Sequence, residues 1–375
     1  MRTLKPLPKS FRWKLQKKYM RHCMMKDDIM SGMSEINRNS LKIRILTAVF
    51  VLCVALLGSV CIGILNSKYD SLSRYPYTDQ KSRELIKEYL TPDEIDYIIE
   101  YSIAPNVFIA FIREEGFNIY NAAEYKRLST YQWDRTPAQI VRMVEDTRDV
   151  MDIDTLIILL SQYSYEEIKD YLDNGDPYKQ DSVLVMNASN LDAWVDASNT
   201  IVKRTPTQLR VLSEEVPSDK QILMQDEAKT HLEEMCRDIQ KGLNSERACA
   251  GLIVTEGYVS YDAQKELYDE AKLRYGKEVL RYEQYPGHCE RQLGLTCDFR
   301  VEGISNATFE RTLQSLWLQE NAYKYGFITS WDHESEKVTG IGAQMYHYRY
   351  VGNQLSTQLH LNHQTFADYI ASANR

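Results

Sequence analysis

The sequence predicts an α+β extracellular domain that is preceded by a helical region and by one transmembrane helix. Three observations support this prediction: an uncharged apolar run at residues 45–65, helix-capping patterns before residue 180, and alternating strand-like and helical segments after it. Mixed strands and helices in one stretch of chain are typical of a layered domain around a single core. The chain therefore divides into residues 1–44, 45–65, 66–180 and 181–375.

The apolar run at residues 45–65 contains no Asp, Glu, Lys or Arg and is long enough to cross a bilayer core of about 30 Å. Residues 1–44 contain twelve Lys or Arg and three acids, a balance of +9, whereas the whole chain has a formal net charge of -8. The positive-inside rule therefore predicts a signal anchor in the cell membrane, with the N-terminus cytoplasmic and the C-terminal domain outside. We expect the basic tail to lie on anionic lipid and not on nucleic acid, because it is tethered to the membrane.

The region at residues 66–180 begins with a linker and continues as short amphipathic helices. Thr91, Thr136 and Ser164 each precede Glu or Gln by three positions, which is the capping-box pattern of a helix start. The turn sequence at 174–177 is expected to end this region. Since no catalytic pattern is concentrated here, we interpret it as a stalk, a docking module or a lid.

The C-terminal domain begins at residue 181 and alternates strand-like and helical segments. Strands are predicted at 183–186, 250–255, 296–301 and 345–351, with helices at 225–242 and 309–325. Of the seven cysteines, Cys236, Cys249, Cys289 and Cys297 fall in this domain. No C-x-x-C pair is present, and the spacing indicates no particular disulfide.

Four motifs in this domain occur in a fixed order. They read EGYVSYDAQ at 256–264, YPGHCERQLGLTCD at 285–298, WLQENAYKYGF at 317–327 and QMYHYRYVG at 344–352. Together they resemble the D-alanyl-D-alanine carboxypeptidases of the VanY type in the M15 peptidase family, with P-G-x-S-x-H-Q-x-G-L-A-x-D as the matching family motif. The resemblance covers about half the chain and implies a hedgehog/D,D-peptidase-like antiparallel sheet, with helices, behind a metal-binding cleft.

The resemblance also implies which residues stand at the positions of the zinc ligands and catalytic groups. Asp298 and His347 match two zinc ligands, but Arg291 stands at the third position, and a guanidinium has no lone pair to give. Gln344 stands where the family has its catalytic glutamate, and Val259 where it has a charge-stabilising arginine. Zinc peptidases need the metal-bound water, a base and charge stabilisation, so this chain departs from all three requirements.

Two arrangements of this site follow from the residues present. In the first, Arg291 fills the vacated metal position and forms bidentate hydrogen bonds with Asp298, and no cofactor is needed. In the second, zinc binds a rearranged set of ligands. The chemically able residues for that set are His288, Cys289, Cys297, Asp298 and His347. Cys297 directly precedes Asp298, and strand neighbours point to opposite faces, which weighs against the second arrangement.

The functional hypotheses follow from these alternatives. Tyr258, Ser260, Gln264 and Cys289 match family positions that are associated with substrate contact, which predicts a preserved cleft. The first hypothesis is a pseudopeptidase of the cell envelope that binds a peptidoglycan stem peptide or an envelope protein without cleaving it. The alternative is an active D,D- or L,D-carboxypeptidase with rearranged zinc ligands. A third hypothesis is a structural scaffold in which the helical region does the binding.

Overall fold

The computed structural model describes residues 41–65 and 70–373, and these form two compact units. The first unit comprises residues up to 113 together with 117–122, and the second comprises 114–116 and the chain from 123 onward. Helix α1, Leu41–Leu65, is the one candidate membrane span in the described ranges, and it contains the predicted segment 45–65. The basic tail at residues 1–40 lies outside the described residues.

The first unit has three further helices around a small apolar core. These are α2 (Gln80–Tyr89), α3 (Pro92–Glu100) and α4 (Pro105–Phe108), followed by a 3₁₀ turn at Ile119–Asn121. Their apolar faces meet because Ile86, Ile98 and Phe108 are all fully buried in one cluster. The capping box predicted at Thr91 is present, since its side chain accepts from Glu94 N and Glu94 bonds back to Thr91 N.

The second unit begins with four helices, and the capping patterns predict the starts of two of them, after Thr136 and Ser164. These are α5 (Ala122–Tyr131), α6 (Pro137–Thr147), α7 (Ile153–Leu160) and α8 (Tyr165–Asn174). The capping boxes at Thr136 and Ser164 are both formed. Helix α8 ends at Gly175, whose positive φ of 68° stops the helix at the predicted turn.

Helices α7 and α8 pack into the same hydrophobic core as the segment that follows residue 180. Tyr163 and Ile168 belong to one buried cluster with Leu184 and Ile201. The compact unit therefore begins near residue 123, earlier than the predicted boundary at 180, because apolar side chains from both sides of residue 180 share one interior.

The main sheet of the second unit has four antiparallel strands, three of which the sequence predicts; the strand at Phe327–Thr329 was not predicted, and the predicted strand at 183–186 lies outside this sheet. Its spatial order is β5 (Leu252–Glu256), β6 (Thr296–Val301), β8 (His347–Tyr350) and β7 (Phe327–Thr329). Two small ladders lie outside it. They are the parallel pair β1 (Val183–Leu184) and β2 (Asn199–Thr200), and the antiparallel pair β3 (Leu209–Val211) and β4 (Leu223–Gln225).

Six helices accompany these strands. They are α9 (Asp226–Gly242), α10 (Tyr261–Tyr275), α11 (Leu313–Asn321), α12 (Glu336–Thr339), α13 (Asn353–Asn362) and α14 (Phe366–Ala373). The helix predicted at 309–325 is divided into a 3₁₀ turn, α11 and a second 3₁₀ turn. The reason is local, because Thr312 is extended and caps α11 by accepting a hydrogen bond from Ser315 N.

A disulfide joins Cys236 in α9 to Cys249 in the turn before β5. The two residues are 13 apart, a spacing that did not single out this pair from the sequence. Cys289 and Cys297 are buried free thiols. The disulfide therefore links α9 to the turn before β5, and both pack on the same core. Cys289 and Cys297 remain as free thiols near the candidate site.

Candidate functional site

Strands β6 and β8 bring Asp298 and His347 together. The two residues are directly paired in the antiparallel register, so their side chains leave the same face of the sheet. Cys297 and Phe299, the neighbours of Asp298, point into the hydrophobic core on the other face. The sheet thus presents an acid and a histidine side by side, where the resemblance places two zinc ligands.

Arg291 enters this site from a 3₁₀ turn at Glu290–Leu293. The turn ends at Gly294, whose φ is 70° and whose missing Cβ would lie 2.8 Å from the Leu209 side chain. Arg291 donates from Nε (3.1 Å) and Nη2 (2.9 Å) to the same oxygen of Asp298, Oδ2. The predicted pairing is confirmed, but its geometry is not the fork of two parallel bonds, because the other Asp298 oxygen is engaged elsewhere.

The guanidinium of Arg291 has further neighbours in Glu283, Gln344 and Trp331. Its Nη1 donates to Glu283 Oε1 at 3.3 Å, and its Nη2 donates to Gln344 Oε1, also at 3.3 Å. Its central carbon lies 4.9 Å from the ring centre of Trp331, within the range of a cation–π contact. Arg291 is 5% exposed, so this cation is held by protein groups and not by water.

His347 is bonded through both ring nitrogens. Nδ1 meets Asp298 Oδ1, and Nε2 lies 2.8 Å from Glu290 Oε1. Burial by itself lowers the pKa of His347, but the carboxylates of Asp298 and Glu290 raise it above the usual value. Both nitrogens therefore donate, and neither lone pair is open to a metal. The Trp331 ring stacks on this imidazole at 3.7 Å.

Glu290 connects His347 to a second buried arginine. Its Oε2 accepts from Arg349 Nη1 at 2.8 Å, and its Oε1 also accepts from the Ser330 hydroxyl. Burial acts to raise the pKa of Glu290, but His347 and Arg349 outweigh it and bring the pKa to about 2. Arg349 Nη2 donates to the backbone carbonyls of Leu191 (3.0 Å) and Ala193 (2.8 Å), while its Nε has no hydrogen-bond partner among the described residues.

These contacts form one chain of alternating charges, which we call the buried charge network. Its members, in order of contact, are Glu283, Arg291, Asp298, His347, Glu290 and Arg349. With His347 protonated, three positive and three negative groups balance. Asp298 remains ionised in this setting: burial acts to raise its pKa, but Arg291 and His347 lower it to about 2.

The residues at this position do not fit a zinc ion. Structural and catalytic zinc sites use at least three lone-pair donors from Cys, His, Asp or Glu. Here Arg291 presents a cation at one ligand position, and His347 uses both nitrogens as donors. Within residues 41–65 and 70–373, no cluster of three or more such side chains is arranged to hold a metal. A metal would have to displace Arg291 and leave its partners to reorganise.

The structure also shows where the residues of a rearranged zinc site lie. His288 is fully buried, with Nδ1 at 2.7 Å from Asp196 O and Nε2 at 3.2 Å from Asp176 Oδ2. Cys297 faces the core. Cys289 does reach Arg291, with Sγ at 3.9 Å from Nη1, and burial raises the pKa of its thiol to about 12. The fold therefore does not bring His288 or Cys297 to Asp298 and His347.

The motif at 256–264 contacts the network through Gln264 and Val259. Gln264 is fully buried and donates to Glu283 Oε1 at 2.8 Å, which fixes the carboxylate that Arg291 contacts. Ser260 caps α10 by accepting from Ala263 N, and Tyr258 Oη lies 3.4 Å from Thr205 Oγ1. Val259 is buried, and its N–H donates to Arg291 O at 3.4 Å.

A cleft of about 650 Å³ opens beside one end of the network. Its lining includes Glu283, Gln344 and Tyr346, together with Arg274, Arg281 and Glu336. The cleft lining includes none of the residues predicted to contact substrate, which are Tyr258, Ser260, Gln264 and Cys289. Their contact with a substrate therefore stays a prediction. Gln344 therefore lines the cleft and also accepts a hydrogen bond from Arg291.

Four members of the site had no assigned role in the sequence. Glu290 and Arg349 lie inside the recognised motifs, and this position could have marked them as members of the site. Glu283 precedes its motif and Trp331 lies in a loop, and neither belongs to a pattern that marks it. Their proximity to Arg291 depends on loop geometry that is set by tertiary packing.

The fold and the site define a class: an α+β peptidase-like domain in which a buried charge network stands at the metal-binding position. Residues 221–353 match the family model of VanY, D-alanyl-D-alanine carboxypeptidase. This segment is therefore a VanY-family domain.

Individual relatives agree with the family match. YodJ of Bacillus subtilis (strain 168), named as a carboxypeptidase, is 34% identical over 128 residues, covering 33% of this chain and 47% of that protein. The D-alanyl-D-alanine carboxypeptidase of Enterococcus faecalis is 30% identical over 128 residues, covering 32% and 47%. The chain thus spans about half the length of these curated relatives. A solved structure of the LdcB LD-carboxypeptidase is 27% identical, with a TM-score of 0.46 and coverage of 53% and 91%.

Proposed function

We propose that this protein is a membrane-anchored pseudopeptidase of the cell envelope. The observation that carries the proposal is the pairing of Arg291 with Asp298, with both nitrogens of His347 already engaged. Hydrolysis at zinc requires an open metal position for water and a base that takes up its proton. Arg291 excludes the open metal position, because its cation stands there. Gln344 cannot act as the base, because a side-chain amide does not take up a proton from water.

The cleft beside Gln344 is the proposed ligand-binding surface. It is polar, it reaches the buried charge network through Glu283 and Gln344, and its volume of about 650 Å³ suits a short peptide. Relatives are named as D-alanyl-D-alanine carboxypeptidases, and we propose a peptidoglycan stem peptide as the ligand, with a peptide segment of an envelope protein as the other occupant of the same cleft.

The location forms part of the same proposal. Helix α1 is apolar enough to cross a membrane, and the residues before it are strongly basic. We propose that the tail lies on anionic lipid at the cytoplasmic face and that the VanY-family domain is outside. Protease protection of the domain in intact cells would contradict this topology.

Metal content and cleavage test the proposal together. The full-length protein, purified in detergent micelles and dialysed against trace zinc, is expected to hold far less than one zinc per chain. It is also expected to release no D-alanine from a stem pentapeptide. Stoichiometric zinc with D-alanine release would overturn the proposal in favour of an active carboxypeptidase with rearranged ligands.

Binding is measured separately from cleavage. The uncleaved stem pentapeptide is expected to bind the wild-type protein and to bind more weakly when Tyr346→Ala enlarges the cleft. Val338→Ala, an exposed change outside the residues that line the cleft, is the matched control. Equal affinity in wild type and Tyr346→Ala would reject the cleft as the binding surface.

A further inference from the structure

Three tyrosine side chains of the first compact unit form a cluster on its surface. The Tyr97 ring lies against the rings of Tyr101 and Tyr120, with ring centres 4.8 Å and 4.7 Å apart. Tyr101 is 63% exposed and Tyr120 is 53% exposed, whereas Tyr97 is half-buried. We call these three residues the tyrosine cluster. Neither the buried charge network nor the cleft beside Gln344 includes any of them.

The fold builds this cluster from two separate segments of chain. Tyr97 and Tyr101 are four residues apart at the C-terminal end of α3, a spacing that places side chains on one face of a helix. Tyr120 comes from the 3₁₀ turn at Ile119–Asn121, which is anchored by the fully buried Ile119. The exposed aromatic area is therefore contiguous, unlike the single apolar residues that are scattered over ordinary surfaces.

The cluster is connected to the point where the chain emerges from α1. Asp70 is the first described residue after α1, and Arg83 donates to Asp70 Oδ2 (2.8 Å) and to the carbonyl of Tyr77 (3.2 Å). The Tyr77 hydroxyl in turn donates to Ser102 O at 3.3 Å, and Ser102 directly follows Tyr101. A short series of contacts therefore links Asp70 to the tyrosine cluster.

The length of the chain limits how far this surface can lie from a bilayer. Residues 66–69 separate the end of α1 at Leu65 from Asp70. Five residue steps cover at most about 18 Å in any conformation. If α1 spans the membrane, as proposed above, Asp70 cannot lie further than this from the end of the membrane-spanning helix. The tyrosine cluster is therefore held within reach of the lipid headgroups.

Tyrosine suits this location for a chemical reason. Its ring is apolar while its hydroxyl group forms hydrogen bonds, so tyrosine is enriched where the acyl chains of a bilayer meet the headgroups. Two acids flank the cluster in sequence. Asp96 is paired with Arg74 at 3.2 Å, and Glu100 is next to Tyr101 in the chain, so their side chains leave the backbone in different directions. Neither acid therefore opposes lipid contact by the rings.

We propose that the tyrosine cluster is a second membrane contact, which places its exposed rings in the headgroup layer of the outer leaflet. This inference rests on the proposed anchoring by α1 and goes beyond it, because a tether of a few residues does not by itself orient the unit that follows. With the rings among the headgroups, the first unit takes one orientation on the bilayer. A second copy of this chain is the alternative partner for the rings, and the test separates the two.

Hydroxyl-radical footprinting of the full-length protein in phosphatidylcholine nanodiscs measures this contact. Mass spectrometry gives the oxidation rate of each tyrosine, and Tyr131, which is 59% exposed in the second unit, is the internal control. Tyr101 has almost the same exposure within the protein, so lipid contact is expected to make its oxidation severalfold slower than that of Tyr131. Nanodiscs that hold one chain each exclude contact between copies.

A charged variant gives an independent check. Tyr120→Glu places a carboxylate in the cluster and is expected to speed the oxidation of Tyr101 severalfold, because a charge is costly to remove from water. Tyr131→Glu is the matched control and should leave the oxidation rate of Tyr101 at its wild-type value. An unchanged rate for Tyr101 in Tyr120→Glu would overturn the proposal.

Two further results would also overturn it. The first is equal oxidation of Tyr101 and Tyr131 in wild-type protein that is incorporated in nanodiscs, which would leave the anchoring by α1 intact. The second is slow oxidation of Tyr101 only in nanodiscs that hold two chains, which would make a second copy the partner of the cluster. Failure of the full-length protein to enter nanodiscs would instead reject the anchoring by α1, and this inference with it.

Discussion

The buried charge network and the capped helices α6 to α8 belong to the same compact unit, yet they are stabilised in different ways. The network places six ionisable side chains in contact; five of them are buried, and Glu283 is half-buried at the cleft. The helices rely on apolar side chains such as Ile140 and Ile168 and on a capping box at each of two starts. Each network member is therefore indispensable to its neighbours, whereas the helices share their stability over many small contributions.

The difference indicates how the loss of zinc that we propose would be compatible with the fold. An acid and a histidine that are left without their metal would be two buried groups with no partner. Arg291 supplies a fixed cation to Asp298, and Glu290 occupies the other nitrogen of His347. If zinc is absent, as we propose, Asp298 and His347 therefore still have partners within the protein.

Restoring the family residues should break the network most completely. The triple variant Arg291→His, Gln344→Glu and Val259→Arg is expected to bind about one zinc per chain, since His, Asp298 and His347 then offer three donors. Its melting temperature should rise with added zinc, because the metal binds only the folded state. Metal analysis after dialysis measures the effect, with wild type as the control. Absence of zinc from a folded triple variant would count against a conserved ligand geometry.

Removing Arg291 alone should cause the largest loss of stability. Arg291→Ala leaves the buried Asp298 with only His347 as a cationic partner and removes the cation beside the half-buried Glu283. Breaking a buried ion pair in this way typically lowers the free energy of unfolding by about 3–5 kcal/mol. Arg300→Ala is the matched control. It breaks a solvent-accessible pair with Asp219, for which we expect a much smaller loss of stability than for the buried pair. Denaturant unfolding compares the two variants, and equal losses would reject a special role for the buried pair.

The disulfide should have an intermediate effect. Cys236 and Cys249 close a loop of about the length for which a cross-link contributes roughly 3 kcal/mol, so the double change to Ser should lower stability by about that amount. Cys53→Ser with Cys61→Ser changes two exposed thiols of α1 and should leave the unfolding of the second unit unaltered. If reducing agent has no effect on the wild-type melting temperature, the cross-link is absent or unimportant.

The same contrast explains what could be predicted from the sequence. The capping boxes at Thr91, Thr136 and Ser164 were predictable because each is decided by residues three positions apart. The span of α1 followed from composition, and β6 was predicted at its observed bounds.

The site was only partly predictable, for a physical reason. The pairing of Arg291 with Asp298 followed from the motif register, since both lie in one motif. The bonds to Glu283 and Trp331 did not, because loops without a local pattern bring these residues in. Likewise, the shared core of Tyr163 and Ile201 places the unit boundary before residue 180, and only tertiary packing reveals that.

The smallest expected effect concerns a single helix cap. Thr136→Ala removes the oxygen that accepts from Gln139 N at the start of α6, which should lower stability by about 1 kcal/mol. Thr130→Ala is the matched control, because Thr130 is near the end of α5 and bonds only a carbonyl of its own helix. We expect Thr130→Ala to change stability by less than about 0.5 kcal/mol. A loss at Thr136 as large as that of Arg291→Ala would show that the helices also depend on single residues, and would remove the contrast between the two regions.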